Sequence, residues 1–238
     1  MSRFTQRLMR YEAVIFAALM VLAFVGITWL VLHQMSVEST QNRWQTDMSR
    51  HSVPLEDIMV SGMGRDGITP IDAPRFASPD AIAWLTPDSP VIAVSIDNTA
   101  RAYPLAVMIK HEIINDTLSG RPVAVTFCPL CHSPIVYSRV VNGEVLRFGI
   151  SGNLYNSNVI MWDDKTESWW TQFMGEAIVG TYTGTMLEII PSQVVSLDAF
   201  TQRFPQGMVL VGDANYPDMT YGRNPYIGYD TNPSPFMY

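Results

Sequence analysis

The chain has 238 residues, of which 47% are hydrophobic and only 16% charged, so it can bury a sizeable core and is not a disordered polymer. Its net charge is −7, and Lys110 and Lys165 are its only lysines. It therefore lacks the basic face that nucleic-acid binding requires.

Taken in chain order, residues 1–12 carry Arg3, Arg7 and Arg10 against a single acid, Glu12. Residues 13–32 follow without one charge. As a helix rising about 1.5 Å per residue, that run spans about 30 Å, the thickness of a bilayer core. The arginines before it place the N-terminus in the cytoplasm and the rest of the chain outside, on the periplasmic face of an inner membrane. The run is long for a signal peptide and no small-residue cleavage site follows, so an uncleaved single-pass anchor is expected. Residues 33–60 are polar and read as a juxtamembrane linker or helix extension, and residues 61–238 as the extracytoplasmic domain.

Within that domain the glycine-rich loop at 61–67 precedes no helical pattern, which makes it a weak phosphate cradle. Five prolines between Pro70 and Pro90 interrupt regular structure. Ser78-Pro79 suits the start of a short helix. From Val91 strand-like runs dominate. Val91–Ile96 and Ala100–Leu105 flank Asp97-Asn98, a hairpin signal. Val107–Ile114 and Val123–Phe127 read as strands. Asn142-Gly143 favours a type I′ turn between Ile135–Val141 and Glu144–Ile150. Val159–Trp162 pairs with Ser168–Phe173, and Thr185–Ile190 is a further strand. Ser196–Phe204 is a helix capped by Ser196, and Met208–Val211 a late strand. The tail from Asp213 reads as an extended wrap or a loose end. The expected class is mainly β (α+β): one barrel- or sandwich-like domain with minor helices, preceded by one N-terminal transmembrane helix.

The only two cysteines, Cys128 and Cys131, flank Pro129-Leu130 at the end of a strand-like run, with His132 directly after. Such a turn brings two sulfurs close enough to bond to each other or to share a metal. Outside the cytoplasm, thiols so placed tend to oxidise unless a metal or a reductant holds them.

Several stretches together resemble the family catalogued as domain of unknown function 3179. They are Asp66-Gly67-Ile68, Arg101-Ala102-Tyr103-Pro104-Leu105, His111 through Asp116, and Val125 through Cys131. Phe148 through Asn158, Thr166 through Gln172, Gly175 through Gly180 and Tyr221 through Tyr226 complete the set. The resemblance runs from about Gly62 to the C-terminus. It implies a shared fold and a shared pocket around these motifs, and no activity. One departure stands out: the family usually carries glycine, asparagine or another small residue after the second cysteine, where this chain has His132.

Three chemistries fit the cysteine turn. Cys128, Cys131 and His132 satisfy the c-type haem attachment spacing, the least favoured of the three in dense β-structure. Cys128 and Cys131 can form a disulfide, structural or redox-active. They can also hold copper or zinc with His111 or His132; His111 is the preferred third ligand, because it lies in a matched motif. Ser151, Asn153, Tyr155, Asn156 and Asn158 are candidates for a polar ligand-binding loop, or for turn-capping groups. Glu167 and Glu176 are candidate acids, whereas nucleophile-elbow and metalloprotease signatures are absent. The functional expectation is a membrane-anchored metal or thiol-redox module centred on Cys128 and Cys131. The alternative is a non-catalytic accessory subunit of a larger integral membrane complex, respiratory or photosynthetic in type.

Overall fold

The computed structural model describes residues 18–30, 44–215, 221–229 and 231–235. Residues 18–30 form a helix, α1, along which Leu22, Phe24 and Ile27 are exposed. The remainder of the span expected at 13–32 lies outside the described residues. Among the described residues no helix is long and apolar enough to cross a membrane.

Gln45–Tyr238 makes one compact unit. It begins earlier than expected, within the stretch read as a linker. The chain runs through β1 (Ile58–Val60), β2 (Pro74–Ala77), β3 (Pro90–Ile96), β4 (Thr99–Pro104) and α2 (Leu105–His111). Next come β5 (Ile113–Leu118), β6 (Arg121–Cys128), β7 (Ser133–Ser138), β8 (Val140–Val141) and β9 (Glu144–Val145). Then follow β10 (Phe148–Tyr155), β11 (Asn158–Asp163), β12 (Trp169–Thr171) and β13 (Ala177–Val179), before β14 (Ser192–Ser196), α3 (Leu197–Arg203) and β15 (Met208–Asp213). The mainly β class with minor helices is observed.

The three larger sheets are built around two of the three hydrophobic cores among the described residues; the third packs α3 against β3 and β4. One has the strand order β1-β10-β11-β12-β13 and another β14-β3-β4-β15-β2. Between them β5-β6-β7 forms a sheet buried on both faces. Alternation along β6 makes that possible, because successive side chains point to opposite faces of a strand. Val123, Val125 and Phe127 enter the core that contains Ile92, Val94 and Tyr103. Ala124 and Cys128 enter the other, with Phe148, Met161 and Trp170. The first cysteine is therefore part of a hydrophobic core, not of a surface turn.

Local chemistry explains most of the elements. Asn142 (φ 51°) and Gly143 (φ 84°) both adopt the positive φ of a type I′ turn, but the hairpin they close is only β8 and β9. Ser196 caps α3 as expected, its hydroxyl accepting from the Ala199 N–H at 3.1 Å. Two expectations need correction. Val107–Ile114 is not one strand: its first half is α2, because Val107, Met108 and His111 share a buried face at helical spacing. Thr185–Ile190 is not a named strand; it touches its neighbours through single bridges at Met186 and Ile189, and the true edge strand, β14, begins after Pro191.

The glycine-rich loop serves structure. Asp66 accepts from the Ile150 N–H at 2.9 Å and the Trp162 indole N–H at 2.9 Å, and pairs with Arg147 at 2.8 Å. Gly149 lies against this cluster, where a Cβ would collide with the Asp66 carboxylate, the Trp162 nitrogen and the Arg147 guanidinium. Gly149→Ala is expected to lower stability by about 1–3 kcal/mol through overpacking. Equilibrium denaturation of the full chain reads this out, and a change within about 0.5 kcal/mol would mean that the cluster yields freely.

Candidate functional site

The site is built where β6 ends. Cys128 pairs in register with Ser133 across β6 and β7, leaving Pro129 to His132 as a tight connection. That loop must reverse in four residues, and His132 takes a left-handed conformation (φ 49°) to do so. Glycine and asparagine adopt that region most easily, which accounts for the small residues expected at this position. The His132 ring packs edge-on against Phe127, with centroids 5.6 Å apart.

Cys128 is fully buried and Cys131 exposed, and both are free thiols. The Cys128 thiol donates to the Ser157 carbonyl at 3.9 Å, and its interaction with Cys131 is the main cause pulling Cys131 down to about 5. Partial burial opposes it. Hydrogen bonds from Asn158 Nδ2 and the Cys131 backbone N–H add to the lowering, and the Ser133 hydroxyl beside the sulfur acts in the same direction. The same interaction between the sulfurs pushes Cys128 far up, assisted by burial and by the Cys131 charge. The two sulfurs are thus pushed in opposite directions, the exposed one down and the buried one up.

An amide network fixes this geometry. Asn158 Nδ2 lies 3.2 Å from the Cys131 sulfur, and Ser133 Oγ 3.1 Å from it. Both are held by Gln172, whose Oε1 accepts from Ser133 Oγ at 2.9 Å and from Asn158 Nδ2 at 3.1 Å. Gln172 Nε2 donates to Thr126 Oγ1 at 2.8 Å and to the Ser133 carbonyl at 2.9 Å. The Phe173 N–H in turn fixes Asn158 Oδ1 at 2.9 Å.

The expected polar loop divides in two. Asn156 (φ 49°) and Ser157 (φ 57°) form the tight turn between β10 and β11. Tyr155, Asn156 and Asn158 line a cavity of about 450 Å³ into which Cys131 opens, with Phe173, Met174 and Ile178 as its apolar wall. Ser151 and Asn153 instead belong to the β10 irregularity: Ser151 Oγ donates to the Ile160 carbonyl at 2.6 Å and accepts from the Asn153 N–H at 3.0 Å.

His111 is engaged elsewhere. Its Nδ1 lies 2.7 Å from the Thr69 carbonyl and its Nε2 3.1 Å from the Tyr221 hydroxyl. Among the described residues no group of three or more His, Cys, Asp or Glu side chains could hold a metal ion. Copper or zinc on Cys128 and Cys131 would lack the third ligand expected from His111 or His132. A haem fits no better, because a thioether at Cys128 would have to leave a fully buried sulfur. Sequence reasoning missed Ser133, Thr126 and Gln172 as partners of the sulfurs. Gln172 ends a motif whose tryptophans draw attention to packing instead.

Two outcomes follow from this geometry. Alkylation of Cys131 by iodoacetamide should show a midpoint near pH 5, while Cys128 stays unmodified in the folded chain. Asn158→Ala removes a hydrogen bond to a charged sulfur, a loss of about 1.5–3 kcal/mol, and should raise that midpoint by about one to two pH units. An unmoved midpoint would remove Asn158 from the site. His132→Asn keeps the left-handed turn and should leave the midpoint where it is.

Comparison with curated proteins and with solved structures gave no match. The family profile described as a protein of unknown function, DUF3179, matches residues 65–238 and so takes in the cysteine turn, the Asn158 turn and Gln172. The chain therefore belongs to the DUF3179 family.

Proposed function

We propose that the chain is a membrane-anchored, extracytoplasmic thiol–disulfide redox module in which Cys131 attacks and Cys128 resolves. The observation that carries this reading is the asymmetry of the two sulfurs: Cys131 is exposed, opens into the cavity and accepts from Asn158 Nδ2 at 3.2 Å, whereas Cys128 is fully buried, and their interaction pulls Cys131 down and pushes Cys128 up. The anchored, extracytoplasmic address rests on the charge-free run at 13–32 and the arginines before it. The exposed apolar side chains of α1 support it.

In the reductive direction the Cys131 thiolate attacks one sulfur of a substrate disulfide. The substrate S–S bond breaks, one thiolate leaves, and a mixed disulfide to Cys131 remains. Cys128 loses its proton and attacks the Cys131 sulfur, which releases the second substrate thiolate and closes the Cys128–Cys131 disulfide. Two electrons pass from the protein thiols to the substrate. The apolar wall beside Cys131, with the Asn156 and Asn158 amides opposite, suits a disulfide carried on a peptide.

A second reading, a non-catalytic subunit of a larger membrane assembly, draws on Met186, Ile189 and Val194, which are exposed in and just before the edge strand β14. Purification in mild detergent with identification of co-purifying integral subunits tests it, and a monodisperse monomer would count against it.

For the redox reading, full-length protein treated with glutathione disulfide should form the Cys128–Cys131 disulfide reversibly. Cys128→Ser should stop at a stable mixed disulfide on Cys131, visible as one added glutathione by intact mass. Cys131→Ser should do neither. A wild-type pair inert to both glutathione disulfide and dithiothreitol would end the proposal.

A further inference from the structure

Among the described residues, the cavity into which Cys131 opens is lined by one carboxylate, Glu176, and by no Lys, Arg or His side chain. Glu176 follows the tight turn that joins β12 to β13. Gly175 makes that turn at φ 68°, where an added Cβ would lie 2.6 Å from the Tyr137 ring. The next residue is then fixed through its backbone. The Glu176 carbonyl accepts from the Thr171 N–H at 2.8 Å, and Glu176 forms a bridge with Met186. The side chain is half-buried and meets little. The Ser52 hydroxyl donates to its Oε1 at 3.4 Å, a long contact, and among the described residues Glu176 joins no ion pair. Phe173 and Met174 line the same cavity and are 55% and 54% exposed.

We propose that Glu176 is a specificity residue, which selects disulfides that carry a positive charge beside the reacting sulfurs, above all a peptide with Lys or Arg next to its cysteine. The inference rests on the thiol–disulfide reading and deepens it by naming the substrate class.

The wall and the acid fit the two parts of such a side chain. Lys and Arg lay their methylene stems along apolar surface and keep the charged head at a polar partner. Here the stem has Phe173, Met174 and Ile178, and the head has Glu176. The Cys131 sulfur, drawn down to about 5, adds a second negative charge to the cavity. The whole chain carries −7. A cavity of one charge sign attracts substrates of the other and repels its own. Glutathione disulfide, net negative at neutral pH, then belongs with the slow substrates.

The exchange step keeps its chemistry. The Cys131 sulfur bonds to one substrate sulfur, the substrate S–S bond breaks, and its electron pair leaves on the other sulfur as a thiolate. Glu176 takes no proton and forms no bond in that step. It holds the cationic group while the disulfide lies against Cys131. Its removal therefore alters the choice among disulfides, not the exchange itself.

The test uses three small disulfides with the full-length protein in mild detergent. Cystamine is cationic, bis(2-hydroxyethyl) disulfide neutral and 3,3′-dithiodipropionate anionic. Loss of the dithiol form is followed by intact mass after acid quench and alkylation of the remaining thiols. Each charged disulfide's second-order rate is divided by that of the neutral one in the same protein, which cancels changes in the reactivity of the sulfurs. Glu176→Gln keeps an acceptor for Ser52 and removes the charge. It should lower the cationic-to-neutral ratio about two- to fivefold, the size of one partly exposed ion pair. Glu176→Lys should lower it further and raise the anionic-to-neutral ratio above its wild-type value. A role confined to holding Ser52 would move neither ratio in Glu176→Gln. In the wild type the cationic-to-neutral ratio should fall as salt rises from about 20 mM to about 500 mM, because screening weakens the attraction. Ratios unchanged in Glu176→Gln and Glu176→Lys would overturn the assignment, as would a salt-independent wild-type ratio, which needs no variant to fold. A wild-type pair that none of the three disulfides oxidises would instead defeat the redox reading itself, so the two failures are told apart.

Discussion

The side-chain amide of Gln172 holds the site together. It fills four hydrogen bonds at once and in doing so joins β6, β7 and the β10–β11 turn. A buried amide is unfavourable when partly satisfied and rigidifying when fully satisfied. Here the satisfied amide orients Asn158 as a donor to the sulfur and holds the Ser133 hydroxyl beside it. Without it nothing else described would fix Ser133 and Asn158 together, and the Cys131 anion would lose directed stabilisation.

That anion is notable for the means of its stabilisation. Thiolates in proteins are commonly favoured by a nearby cation or a helix N-terminus. At Cys131 every cause of the lowering is a neutral group: the Cys128 thiol, the Ser133 hydroxyl, the Asn158 amide and the residue's own backbone N–H. Fixed dipoles of this kind do not titrate across neutral pH. The pair should therefore keep its asymmetry over a broad pH range, bounded below by Cys131 itself. Cys131 and the buried Glu112 carboxyl act oppositely on stability. Cys131, lowered from 9.0 to about 5, contributes stability that is full above 9.0 and lost as pH falls through about 5. Glu112, raised from 4.5 to about 8, contributes stability that is full below 4.5 and lost as pH rises through about 8.

Much of the body was legible in the sequence because short-range chemistry sets it. Asp97 in its turn, Asn142-Gly143 and the Ser196 cap all act within a few residues of themselves. The cysteine turn was legible as a place, since the strand ending at Cys128 and the spacing to Cys131 are local. Its partners were not. Gln172 reaches Ser133 and Thr126 across 39 and 46 positions of sequence, and no periodicity encodes that meeting. The preference for His111 as a ligand failed for a related reason: its neighbours, Thr69 and Tyr221, come from stretches with no metal-binding character. The oddity of His132 was visible as a departure, but its cause is a backbone angle that only the three-dimensional turn makes plain.

The place of β15 has a consequence for biogenesis. This strand lies inside its sheet, parallel to β4 on one side and antiparallel to β2 on the other. β2 therefore has no neighbour until nearly the whole polypeptide has been made. A chain made from its N-terminus therefore exposes both sulfur atoms long before that gap can be filled, and the nascent pair lacks the partners that later set its acidity.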